Sequence, residues 1–182
     1  TVQPLKFLKT ANGCFNEKYK FYKDGLIDEE FVMRLTEEKW GGKSEKSSRK
    51  DDIYNHIDFY WSRDGSEKIG FDVKGVKKSR RSDDMKDDSI HWVELLNVQG
   101  KEGWLYGKAK YIAFLTNTSI LYVPRLELIN LINTKIKNTS VKTSMPNECY
   151  VPYQRRDRMD LIVKVLTSDL RKIAKQELVY GE

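Results

Sequence analysis

Cysteine and histidine are scarce in this chain. Cys14 and Cys149 are its only thiols and stand far apart, without the paired spacing of a zinc site or a disulfide framework. Reduced, packed thiols are the expectation. His56 and His91 are the only imidazoles, and neither has a partner at metal-ligand spacing. Long apolar runs are missing too. Ile112-Ala113-Phe114-Leu115 is the longest stretch without a polar side-chain atom, far too short to cross a bilayer, and no continuous apolar segment marks the N-terminus. A cytoplasmic protein with no membrane partner is expected. Neither a fixed-period repeat nor a low-complexity tract is visible, which sets aside solenoid and linker architectures.

Apolar and charged residues are both plentiful. Hydrophobic residues make up 39% of the 182 and charged ones 33%, the balance of a folded chain rather than a disordered one. This length suits one domain with a real core, residues 1–182, with a helical N-terminal part over 1–40 and a core over 53–182. Thirty-three Lys and Arg against 27 Asp and Glu leave a net charge of +6, which favours a polyanionic partner.

Residues 4–40 read mainly as helix, from Leu5 and Leu8 to Phe31, Val32 and Leu35, with Gly25 as a break. Gly41 to Asp52, polar and rich in Lys and Ser, reads as a loop. Aromatic and β-branched residues between turn signals predict strands at 56–62, 68–75, 91–98, 110–116 and 119–123. The stripe of Leu128, Ile129, Leu131 and Ile132 predicts a helix over 125–137. Leu161 to Leu166 reads as another strand, and Ser168-Asp169 as the N-cap of a last helix reaching about Leu178. The order predicts an α/β fold, a mixed central β-sheet flanked by helices.

Within the strand-rich part, Ile57-Asp58-Phe59-Tyr60-Trp61 and Ile69-Gly70-Phe71-Asp72-Val73-Lys74-Gly75 flank the short polar turn Ser62-Arg63-Asp64-Gly65-Ser66. Side chains alternate along a strand, so Asp72 and Lys74 share one face and Phe71 and Val73 the other. A hairpin here would bring Asp58 beside Asp72. Two close carboxylates repel unless a cation lies between them, and hard oxygen ligands suit Mg²⁺ or Mn²⁺. Two other acid-x-Lys triplets, Glu37-Glu38-Lys39 and Asp84-Met85-Lys86, lack this apolar strand setting.

The pattern Asp58-x13-Asp72-Val73-Lys74 resembles the catalytic core of the PD-(D/E)xK nuclease superfamily, over roughly residues 55–125 and with Ile57 in the proline position. The segment Trp92 to Ala109, with Gly100, Gly103 and Gly107, is similar to a stretch of phage-encoded members, with Lys110 where those would have an acid. The resemblance implies a restriction-endonuclease-like core and a phosphodiester hydrolase, most simply a DNA endonuclease. It implies Mg²⁺ or Mn²⁺ held by Asp58, Asp72 and the backbone carbonyl of Val73, with Lys74 beside the scissile phosphate. A phage-infected bacterial host is the matching setting, and concerted cutting of two strands would favour a homodimer. Two other readings stay open: a non-catalytic nucleic-acid-binding protein on the same scaffold, and a basic module that binds an acidic protein.

Further candidates surround this centre. Glu94, on the next predicted strand, is either a third catalytic acid or a half-buried residue satisfied by an arginine. Glu17 is a weaker acid of the same kind, because some superfamily members bring a glutamate from the first helix. His56, two residues before Asp58, shares its expected strand face. Lys77, Lys78, Arg80 and Arg81 follow the catalytic strand as a candidate phosphate clamp, answered at once by Asp83, Asp84, Asp87 and Asp88. Trp104 and Tyr106 could stack on bases beside Lys108, or simply fill the core. Arg155, Arg156 and Arg158 would extend a basic track.

Overall fold

The computed structural model describes residues 26–77 and 86–180. Cys14, Glu17, Lys78, Arg80, Arg81 and the acids at 83 and 84 lie outside the described residues, as do the residues before 26 of the stretch expected to be helical over 4–40. Helix α1 (Leu26–Trp40) opens with Asp28 and Glu29 and closes with Lys39, charges that oppose the helix dipole at both ends. Strand β1 (Lys43–Lys46) follows, in a stretch expected to be a loop. Its four polar residues are a fair edge strand, since an exposed edge tolerates Lys and Glu where a central strand would not. One π-helical turn (Asp51–Asn55) then leads into β2 (Phe59–Ser62) and β3 (Ile69–Lys74).

After β3 come β4 (Ile90–Leu96), a single 3₁₀ turn (Trp104–Tyr106), β5 (Tyr111–Leu115) and β6 (Ser119–Pro124). Helix α2 (Arg125–Lys135), β7 (Leu161–Leu166), α3 (Thr167–Ile173) and β8 (Gln176–Val179) complete the order. The fold is α/β with a mixed six-stranded sheet, in the order β1-β2-β3-β5-β6-β8. Only β3 and β5 run parallel; every other pairing in that sheet is antiparallel.

Two expectations change here. Strand β4 does not join the main sheet but pairs antiparallel with β7 in a separate two-stranded sheet. The last helix stops at Ile173, and Gln176–Val179, expected to be helical, pairs with β6. Asp169 does not cap that helix. It is buried and accepts hydrogen bonds from the Tyr150 hydroxyl at 2.6 Å and from Lys135 at 3.0 Å.

Both faces of the main sheet are covered, which is why its inner strands are almost wholly apolar. Phe59, Phe71, Ala113, Ile120 and Tyr122 meet Phe31, Val32 and Leu35 of α1 in one core. On the opposite face, Ile112, Phe114, Leu121 and Val123 meet Val93, Val163 and Val165 of the small sheet and Leu128, Ile132 and Leu170 of the C-terminal helices. No helix among the described residues is long and apolar enough to cross a membrane. Cys149 is a free, half-buried thiol.

Candidate functional site

The hairpin of β2 and β3 has the register Phe59↔Phe71, Tyr60↔Gly70 and Trp61↔Ile69. Carried one position further, that register sets Asp58 opposite Asp72, and the Asp58 N–H donates to the Phe71 carbonyl at 2.8 Å. The Phe59 and Phe71 rings stack at 4.8 Å on the α1 side. Alternation therefore turns Asp58 and Asp72 to the other face.

Asp72 is only 2% exposed. Its Oδ1 receives the Lys74 ammonium at 2.7 Å, while its Oδ2 is buried and meets no donor. The carboxylate of Asp58 is the other hydrogen-bond neighbour of the Asp72 carboxyl, and two carboxylate oxygens cannot satisfy each other without a proton or a cation between them. Burial, reinforced by Asp58 and opposed by Lys74, pushes the Asp72 carboxyl up to about 8. Asp58 is steadied by the Val73 N–H, which donates to its Oδ2 at 2.6 Å. Val73 thus has a role the sequence did not suggest: its amide orients an acid.

Lys74 is held from three sides. Burial disfavours its charge, yet Asp72, Asp58 and Glu94 more than compensate and hold the ammonium above its ordinary range. Its Nζ also lies 4.7 Å from the centroid of the Trp104 ring, a cation–π contact. Glu94 projects from β4 toward the same place. Burial raises its carboxyl, against the pull of Lys74, a hydrogen bond from the Trp104 backbone, and Arg155. The two sheets therefore meet across Lys74.

An acid that sequence reasoning missed stands beside Asp58. Glu29, in the first turn of α1, is pushed up to about 7 by burial and then by Asp58, while Lys46 and Lys74 pull the other way. Nothing in the sequence separates it from its neighbours Asp28 and Glu30; only the packing of α1 over the end of β3 does. Asp28 is buried, and a Cβ on Gly75 would come within 2.4 Å of its Oδ2, so the chain after Lys74 passes under α1 only because residue 75 is glycine.

Other candidates fall into two groups. Val73, Lys74, Lys77, Trp92, Glu94 and Trp104 line a cleft of about 1080 Å³, together with Tyr153, Arg155, Arg156 and Arg158 from late in the chain. Trp104 is buried in the core at 8% exposure, which leaves little ring surface for a base and makes it a support for Lys74. Lys108 is exposed and lies outside that lining, its backbone tied to the Asn55 carbonyl at 2.8 Å. The strand expected from residue 56 begins only at Phe59, so His56 does not share a strand face with Asp58. It adopts a left-handed conformation, φ 52°, at the end of the π turn, though it still feels the charges of Lys74 and Asp58. His91 is buried against Phe114, and burial lowers its imidazole to about 4.

Among the described residues no group of three or more His, Cys, Asp or Glu side chains is arranged as a ready metal cage. Compared with protein-family models, with curated proteins and with solved structures, the chain finds no match in any of the three.

Proposed function

We propose that this chain is a divalent-metal-dependent nuclease of the PD-(D/E)xK type, hydrolysing phosphodiester bonds, with DNA as its substrate. The reading is carried by one observation: the buried Asp72 carboxyl, with Lys74 on one oxygen and no hydrogen-bond partner on the other, has the Asp58 carboxylate as its neighbour. A purely structural ion pair has no use for the second acid. The acid-bearing antiparallel hairpin, continued by a parallel strand within a mixed sheet, is consistent with a restriction-endonuclease-like core.

The donor set fits Mg²⁺ or Mn²⁺, hard cations that take oxygen ligands, retain several waters and need only one or two carboxylates. Asp58 and Asp72 would hold the ion, with the Val73 carbonyl as a further oxygen and Glu29, which feels the charge of Asp58, as an additional acid beside them. Such an ion supplies relief of charge on the phosphate and a more acidic water. The side chains do the rest. Lys74 donates to a phosphate oxygen as negative charge grows there, and because Asp72 and Trp104 already fix its Nζ, little reorganisation is needed. Glu94 helps keep that ammonium charged.

Asp58→Asn and Asp72→Asn should each lower Mg²⁺-dependent cleavage of a plasmid by roughly 10²–10³-fold, the scale of losing one preorganised charge-stabilising group. Both should keep the parent's circular dichroism spectrum, since asparagine preserves the shape. Unimpaired cutting by Asp72→Asn would overturn the reading. DNA binding with no cleavage by the parent in either metal would favour the non-catalytic alternative.

A further inference from the structure

The cleft beyond Lys74 has lining that the acid hairpin does not supply: β4, and the chain leading into β7, which lies against β7 through the bridge of Tyr153 with Ile162. We infer that this cleft takes a single unpaired nucleic-acid strand, with one phosphate at Lys74 and an adjoining base against Trp92 and Tyr153. The inference rests on the nuclease reading for which bond is cut, and on the cleft alone for what is held.

Size comes first. A volume of about 1080 Å³ is that of a cube roughly 10 Å on a side. It matches the upper end of small-ligand pockets, ~300–1000 Å³, room for a few nucleotides of one strand.

Chemistry narrows the ligand further. Among the described residues, Lys74, Lys77, Arg155, Arg156 and Arg158 line the cleft against one carboxylate, Glu94, and although Asp72 and Asp160 pair with Lys74 and Arg155 the lining favours a polyanion. Arg155 is positioned: its Nε donates to Asp160, a fully buried carboxylate whose other oxygen accepts the Arg155 N–H at 3.2 Å. Arg156 and Arg158 are exposed. Among these cations stand two half-buried rings. Alternation along β4 sends His91, Val93 and Leu95 into the core and turns Trp92 and Glu94 to the cleft side. Trp92 lies 6.1 Å from Tyr153, tilted by 42°, with Lys164 across the strand pair 5.9 Å from its ring. Bases inside a duplex are already stacked on one another, so only an unpaired base can offer its face to such rings. An acidic peptide would satisfy the arginines but leave the aromatic pair without a function.

Binding measured in EDTA, by fluorescence anisotropy of a short labelled oligothymidylate and of a blunt duplex of equal length, tests this without cleavage. The single strand should bind about tenfold tighter or more. Trp92→Ala and Tyr153→Ala should each weaken that binding about tenfold, the scale of one lost base–aromatic stack, and leave duplex binding unchanged. Trp92→Phe should keep most of the affinity, and a melting curve for each variant separates lost stacking from lost fold. Joint Arg156→Gln and Arg158→Gln should flatten the salt dependence by roughly 0.7 per lost contact on a single strand. Equal or tighter duplex binding, aromatic variants that bind like the parent, or displacement of the oligonucleotide by polyglutamate as readily as by unlabelled oligonucleotide would each overturn the inference. Cleavage assayed in Mg²⁺ on both substrates keeps the two claims apart. Single-strand binding without cutting removes the nuclease and keeps the cleft's ligand, whereas preferred cutting of duplex does the reverse.

Discussion

Asp72 and Glu29 give the site a pH dependence whose sign follows from burial. Their carboxyls stand at about 8 and about 7 in the folded chain, against ordinary values of 3.8 and 4.5. The native state holds protons that the unfolded chain has already released, so these groups contribute stability that is complete below the unfolded values and is lost as pH rises through the folded ones. In metal-free buffer the melting temperature should therefore fall between about pH 4 and 8. Asp72→Asn should remove its own share across that whole range and leave only the smaller share of Glu29, which ends at about pH 7. Each kcal/mol amounts to about 2–4 °C in a chain of this size, so calorimetry resolves the difference. A ligand ion replaces those protons, and Mn²⁺ should raise the melting temperature more at pH 8 than at pH 5. A pH profile of Asp72→Asn that overlays the parent would rule out Asp72 as the titrating group. Glu29→Gln should weaken Mn²⁺ binding by roughly 10–100-fold, the usual effect of losing a group that supports a ligand, as read by isothermal titration.

The acid hairpin was legible as an element because three local signals agree over a short span. Apolar and polar residues alternate on both strands, Asp64-Gly65 closes the turn, and Gly65 takes the left-handed conformation, φ +68°, that such a turn favours. Other elements escaped for physical reasons. Lys43–Lys46 has no apolar residue, so pattern offers nothing until the chain finds the edge of β2. Gln176-Glu177-Leu178-Val179 continues a plausible helical surface, and pairing with β6 overrides it. Strand β4 looks like its neighbours in sequence, but its partner β7 comes much later in the chain, and only that pairing puts Glu94 across from Lys74 rather than beside it. The turn carrying Trp104 depends on glycine at 103. A Cβ there would meet the Glu94 carbonyl oxygen at 2.4 Å and the Glu94 side chain at 2.8 Å. Gly103→Ala should push Trp104 away from Lys74, cost about 1–3 kcal/mol as an overpacking change, and lower kcat more than it raises KM.

At the scale of the molecule, β3 serves two interiors at once. Phe71 is wholly buried with α1 behind it, while Asp72, the next residue, is buried on the side of the small sheet. Phe71→Ala should cost about 3–5 kcal/mol, measurable by urea unfolding, because it hollows the core that β3 shares with α1. What the composition promised, a basic chain suited to a polyanion, becomes specific only here: the described cations that line the cleft come from Lys74 and Lys77 at one end and from Arg155, Arg156 and Arg158 far along the sequence. The hairpin that carries both acids and the lysine is closed by a short turn, whereas Tyr153 and the three arginines arrive on a separate, late segment. On the nuclease reading proposed above, chemistry and selection would then be written in different stretches of chain. A lineage, or a designer, could exchange the segment from Tyr153 to Arg158 and change what is held without rewriting how it is cut.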